Sequence, residues 1–73
     1  MLEINTANIK RLEKHSIIKI PKNKKFAGYK FIIPNKFITS SNSFVKVINL
    51  PLETTIKIKK DNDIKQITLG DLK

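Results

Sequence analysis

Thr54-Thr55-Ile56-Lys57-Ile58-Lys59-Lys60-Asp61-Asn62-Asp63-Ile64-Lys65-Gln66-Ile67-Thr68-Leu69 decides the fold class. Two stretches rich in β-branched residues flank Asp61-Asn62, and Asp and Asn tolerate the left-handed backbone conformations that a tight hairpin turn demands. Before the turn Ile56 and Ile58 alternate with Thr55, Lys57 and Lys59, and after it Ile67 and Leu69 alternate with Gln66 and Thr68. Successive side chains on a strand point to opposite faces, so this hairpin has one apolar face and one polar-to-basic face. An antiparallel sheet with a core on one side and water on the other has this pattern.

Outward from the hairpin, residues 16–20, 28–33 and 44–50 show the same β-branched texture, so that with 54–60 and 63–69 five strands are expected. Pro21, Pro34 and Pro51 each sit just past the end of a run, where a missing amide donor costs the ladder nothing. At the N-terminus, Asn5 or Thr6 followed by residues 7–15 reads as a capped helix with Ile9 and Leu12 on one face and Lys10, Arg11 and Lys14 turned away. Leu2 and Ile4 alternate with Glu3, which suits a short edge strand equally well. Thr39-Ser40-Ser41-Asn42-Ser43 reads as the most flexible loop. The expected fold is therefore α+β and mostly β: a short N-terminal helix, then about five short antiparallel strands in a curled sheet or small partly open barrel, SH3-like or OB-like.

Seventy-three residues suffice for one domain, residues 1–73, and a chain of this size buries only about 60% of its unfolded surface. Homo-oligomerisation or partner binding would supplement so small a core. The chain has no cysteine, hence no disulfide, no thiolate zinc site and no thiol nucleophile. A small secreted domain normally carries such a staple, so the chain reads as intracellular and cytoplasmic. The longest uninterrupted apolar run is only two or three residues, as in Phe31-Ile32-Ile33, which excludes a membrane-spanning helix and a signal-peptide core.

The formal net charge is +9. Lys, Ile and Asn have AT-rich codons and together supply 34 of the 73 residues, so part of the lysine content reflects base composition. Glu codons are AT-tolerant too, yet there are only three Glu, and the excess of Lys over acid survives that discount. Residues 1–37 carry a net +7 and residues 38–73 a net +2. A field of this sign attracts polyanions.

The inventory does not suit an enzyme. His15 is the one histidine and reads as a solvated residue at a helix end among cations, and the six acids are scattered. Asp61 and Asp63 flank Asn62, but a hairpin turn accounts for them better than a cation loop, which needs more ligands. Only Gly28 and Gly70 are available, too few for a phosphate cradle. No catalytic residue, metal ligand or cofactor is expected.

Between Lys22 and Phe37, lysines interleave with four of the five aromatic residues. Cations can follow a phosphate backbone while flat side chains stack on unpaired bases. Period-two geometry puts Tyr29, Phe31 and Ile33 on one face, so Phe31, together with Phe37 and Phe44, is expected in the core, whereas Phe26 and Tyr29 could be available for stacking. The candidate nucleic-acid-binding set is Lys22, Lys24, Lys25, Phe26, Tyr29, Lys30 and Lys36, joined by Lys57, Lys59 and Lys60 of the last hairpin. With fourteen Lys and one Arg, contacts to DNA or RNA should be to the backbone and largely independent of sequence.

Gly28-Tyr29-Lys30-Phe31-Ile32-Ile33-Pro34-Asn35-Lys36 resembles a turn–strand pattern in short uncharacterised proteins of bacterial phages and mobile elements. The resemblance implies an accessory role at most. The alternative to nucleic-acid binding is a small protein-interaction module, or a phage or mobile-element modulator, that docks on an acidic protein partner through an exposed sheet edge. Membrane attachment is not expected, for want of a long basic amphipathic helix.

Overall fold

In the computed structural model, which describes residues 2–73, the regular structure consists of eight short strands and three 3-10 turns. The strands are β1 (Leu2–Asn5), β2 (Ile9–Arg11), β3 (His15–Lys19), β4 (Lys30–Pro34), β5 (Ile38–Ser40), β6 (Val45–Ile48), β7 (Thr55–Lys60) and β8 (Asp63–Thr68). They form two antiparallel sheets, one of three strands in the order β1-β6-β5 and one of five in the order β2-β3-β4-β7-β8. The expected α+β fold is thus corrected to an all-β one, with two sheets in place of one curled sheet or SH3-like or OB-like barrel.

The N-terminal helix is absent. Asn5 does cap a turn, its side-chain oxygen accepting from the Ala7 N–H at 2.9 Å, but the 3-10 turn it starts lasts only Thr6–Asn8. Ile9 is already extended, at φ −118° and ψ 127°. Two apolar residues on a ten-residue segment do not offset the cost of nucleating a helix. In strand geometry the same segment gains a ladder, with Ile9 opposite Ile18, Lys10 opposite Ile17 and Arg11 opposite Ser16. The competing reading of Leu2 and Ile4 as an edge strand is the one the fold adopts.

The chain crosses between the sheets three times, twice at matching corners. β1 runs through Thr6–Asn8 into β2, and β4 runs through the 3-10 turn Asn35–Phe37 into β5. The residues before the turns, Asn5 (φ −65°, ψ 133°) and Pro34 (φ −58°, ψ 138°), share a conformation, as do the residues after them, Ile9 and Ile38. Backbone geometry repeats here although the sequences do not. Asn35 also clamps its corner to the β2–β3 turn: its side-chain amide donates to the Leu12 carbonyl at 2.9 Å, and its side-chain oxygen accepts from the buried Ser16 hydroxyl at 2.5 Å.

The five runs read from the sequence correspond to β3, β4, β6, β7 and β8, and their alternation places the core between the sheets. Ile18 on β3, Phe31 and Ile33 on β4, Ile58 on β7, Ile67 on β8 and Ile48 on β6 are buried there. The last hairpin turns on Asp61-Asn62, with Asp61 at φ 54°. The segment expected to be the most flexible loop is partly strand, since Thr39 and Ser40 belong to β5. Phe37 is half-buried against the core, but Phe44 is not a core residue: it is 74% exposed beside the turn that Asn42 organises by accepting from the Phe44 and Val45 amides.

Candidate nucleic-acid interface

Because Ile18, Phe31 and Ile58 point into the core, their neighbours Lys19, Lys30 and Lys59 point out of the five-stranded sheet. Register then sets them side by side: Lys19 lies opposite Lys30 on β3–β4, and Lys30 lies opposite Lys59 on β4–β7. Opposed residues on an antiparallel pair have Cα atoms about 4.5–5.5 Å apart, so three lysines form a row across three strands. None of the three has an ion-pair partner among the described residues; the pair that is seen joins Lys65 to Asp63 at 3.7 Å, near the hairpin tip. Ile64 follows Lys59 in the row on β8, and Ile17 and Ile32 lie opposite each other one step along β3–β4. Ile32 and Ile64 are 59% and 61% exposed. Lys19, Lys30, Lys59 and the two isoleucines of β3 and β4 line an open depression of about 540 Å³ on this face, with Lys60 and Asp61, its one carboxylate, at the hairpin end. Lys10, opposite Ile17, and Lys57, two residues before Lys59, extend the basic surface.

Sequence-predicted residues divide between this face and elsewhere. Lys30, Lys57 and Lys59 share it. Lys22, Lys24 and Lys25 are exposed on the loop after β3, where Lys25 Nζ lies 5.4 Å from the Phe26 ring centroid. Lys60, next along β7 from Lys59, reaches over Tyr29, its Nζ 5.9 Å from that ring, and lines the rim of the same depression. Lys36 sits at the opposite end of β4, in the second corner, over Phe37 at 5.1 Å. Lys19 was not among the predicted residues. Its outward direction was readable from its place between Ile18 and Ile20, but its company was not, since the row depends on two strand registers.

The two aromatic candidates do not face solvent as stacking platforms. Tyr29 is 9% exposed and belongs to the core, and its hydroxyl donates to the Asp63 carboxylate. That hydrogen bond, with burial and the adjacent negative charge adding to it, raises the Tyr29 phenol above its ordinary pKa. Phe26 packs edge-on against Tyr29 with centroids 6.2 Å apart and is half-buried, in a left-handed conformation at φ 63°. What the sheet presents is a field of point charges around an apolar strip.

Among the described residues no three His, Asp or Glu side chains converge on a common centre, and no helix is long and apolar enough to cross a membrane. No family model, curated protein or solved structure matches the chain.

Proposed function

We propose that the chain is a non-enzymatic, largely sequence-independent nucleic-acid-binding module that holds backbone phosphates on the outer face of its five-stranded sheet. The observation that carries this reading is the row Lys19–Lys30–Lys59. Like charges directly opposite each other on a sheet are unfavourable in the free protein. A phosphate lying between them turns each repulsion into an attraction, so the row is better matched to a bound polyanion than to water. Lys rather than Arg fits backbone capture, because an ammonium acts as a point charge without the forked geometry that reads guanine. The enclosure of Tyr29 directs the proposal away from base stacking and toward phosphate contacts.

Fluorescence anisotropy with a labelled oligothymidine and a labelled duplex of mixed sequence, each at two salt concentrations, tests the proposal. Binding should be present at low salt, weaken steeply with added salt as condensed counterions cease to be released, and differ little between oligonucleotides of scrambled sequence. No binding at low salt, or an affinity indifferent to salt, would refute it.

A further inference from the structure

The exposed edge of the small sheet has the features of a second binding site, which shares only Lys19 with the lysine row. β1 pairs with β6 on one side and has no neighbour on the other. The Thr6 N–H donates to the Phe44 carbonyl at 2.8 Å, and this fixes the alternation of the β1–β6 ladder. Ile4 exchanges both of its backbone bonds with Lys46, while Glu3 and Asn5 belong to the non-bonded pairs. The Glu3 N–H and C=O and the Asn5 N–H therefore point away from β6, toward the open edge. The Asn5 carbonyl is engaged by the 3-10 turn that follows.

Along that edge runs a groove of about 280 Å³, between β1 and the end of β3 with the loop after it. The buried Ile18, Ile20, Phe31 and Leu72 form its apolar floor beside the half-buried Ile4, and Lys19 and Lys24 stand on the side away from β1. A nucleic-acid backbone suits this place poorly, because its phosphates would meet an apolar surface and the Glu3 carbonyl. An extended peptide suits it on each count. Its main chain offers both a donor and an acceptor to Glu3, alternate side chains reach the apolar surface, and carboxylates come within range of the two lysines. The Glu3 side chain, the one carboxylate of the lining, alternates with the inward-facing Leu2 and Ile4 and so projects to the outer face of the small sheet.

We infer that the β1 edge and its groove accept an extended segment of a protein partner with alternating acidic and apolar residues, which adds to the small sheet as a fourth strand beside β1.

The probe is a capped heptapeptide of alternating Asp and Val, titrated into the ¹⁵N-labelled protein by NMR, with a Lys-Val peptide of the same length as control. The acidic peptide should shift the Glu3 and Asn5 amides and slow their hydrogen exchange, and the basic peptide should not. Asn5→Pro removes one edge donor at a φ of −65°, which proline adopts, and the matching corner carries Pro34 at this position. This variant should weaken the acidic peptide about tenfold, as expected for one backbone hydrogen bond, while leaving oligonucleotide binding unchanged. Lys24→Glu should weaken the acidic peptide and strengthen the basic one, and it serves as the second variant should Asn5→Pro perturb the fold. No shift at millimolar peptide, shifts confined to the Lys19–Lys30–Lys59 face, or equal binding of both peptides would overturn the inference.

Discussion

Replacing Lys30 with Gln should make the protein more stable and a weaker binder of polyanions. Lys30 is the middle of the row and faces a lysine on each side, Lys19 and Lys59. Cross-strand pairs are worth about 0.2–1 kcal/mol and exposed charges fall in the lower part of that range, so removing two repulsions should stabilise the fold by roughly 0.5–1 kcal/mol. For a domain of this size that raises Tm by about 2–8 °C. Lys57→Gln is the matched control, since Lys57 faces Gln66 and its replacement relieves no such opposition on that side. Thermal denaturation followed by circular dichroism should show the gain for Lys30→Gln at low ionic strength and little change for Lys57→Gln. At 1 M salt, where the screening length is about 3 Å, the gain should shrink toward zero. A loss of stability in Lys30→Gln at low salt, or a gain as large at high salt as at low, would refute the claim that the row is an uncompensated charge cluster.

The chain has one tyrosine and no tryptophan, so ultraviolet titration reads Tyr29 directly. Its midpoint should lie above the ordinary value near 10 and fall in Asp63→Asn; because the folded value is raised, this contribution to stability is complete below about pH 10 and lost as pH rises through the folded midpoint. Asn35→Ala should cost about 2–3 kcal/mol by urea denaturation, since it strands the buried Ser16 hydroxyl and the Leu12 carbonyl together. Asp71 accepts the Thr68 N–H at 2.9 Å in the capping box of the last 3-10 turn, Leu69–Leu72, and bonds from the Thr68 amide and hydroxyl, aided by Lys25, hold its carboxyl below the usual range. A lowered value stabilises the fold above the unfolded pKa of about 4 and is lost as pH falls through the folded one, so Asp71→Asn should lower Tm at pH 7 and leave it unchanged in strong acid.

The parts of the fold that were legible are those where one strand carries its own signal. Alternation in residues 54–69 located the inward Ile58, Ile67 and Leu69 and the outward Lys57 and Lys59, and prolines marked where runs stop. β2 and β5 left no such mark, being three residues long and stable only through their partners: Ile9 was misread because a helix stripe and a three-residue strand use the same isoleucine. Phe44 was misread because an aromatic at the start of a β-branched run looks like core, whereas the Asn42 turn holds it outside. The candidate site was half legible for the same reason. Lysine density is highest at residues 22–25, but opposition across strands, a property of register, assembles Lys19, Lys30 and Lys59.

The most direct test of the central claim compares two triple variants of equal net charge, Lys19→Gln/Lys30→Gln/Lys59→Gln and Lys14→Gln/Lys36→Gln/Lys73→Gln, by measuring oligonucleotide affinity across a salt series. If the row holds phosphates, the first variant should lower the slope of log affinity against log salt by about 2–3, with each phosphate contact contributing 0.7–0.9, and the second should leave the slope nearly unchanged. Equal losses in the two variants would mean that net charge alone draws the polyanion and that the Lys19–Lys30–Lys59 face has no privileged role.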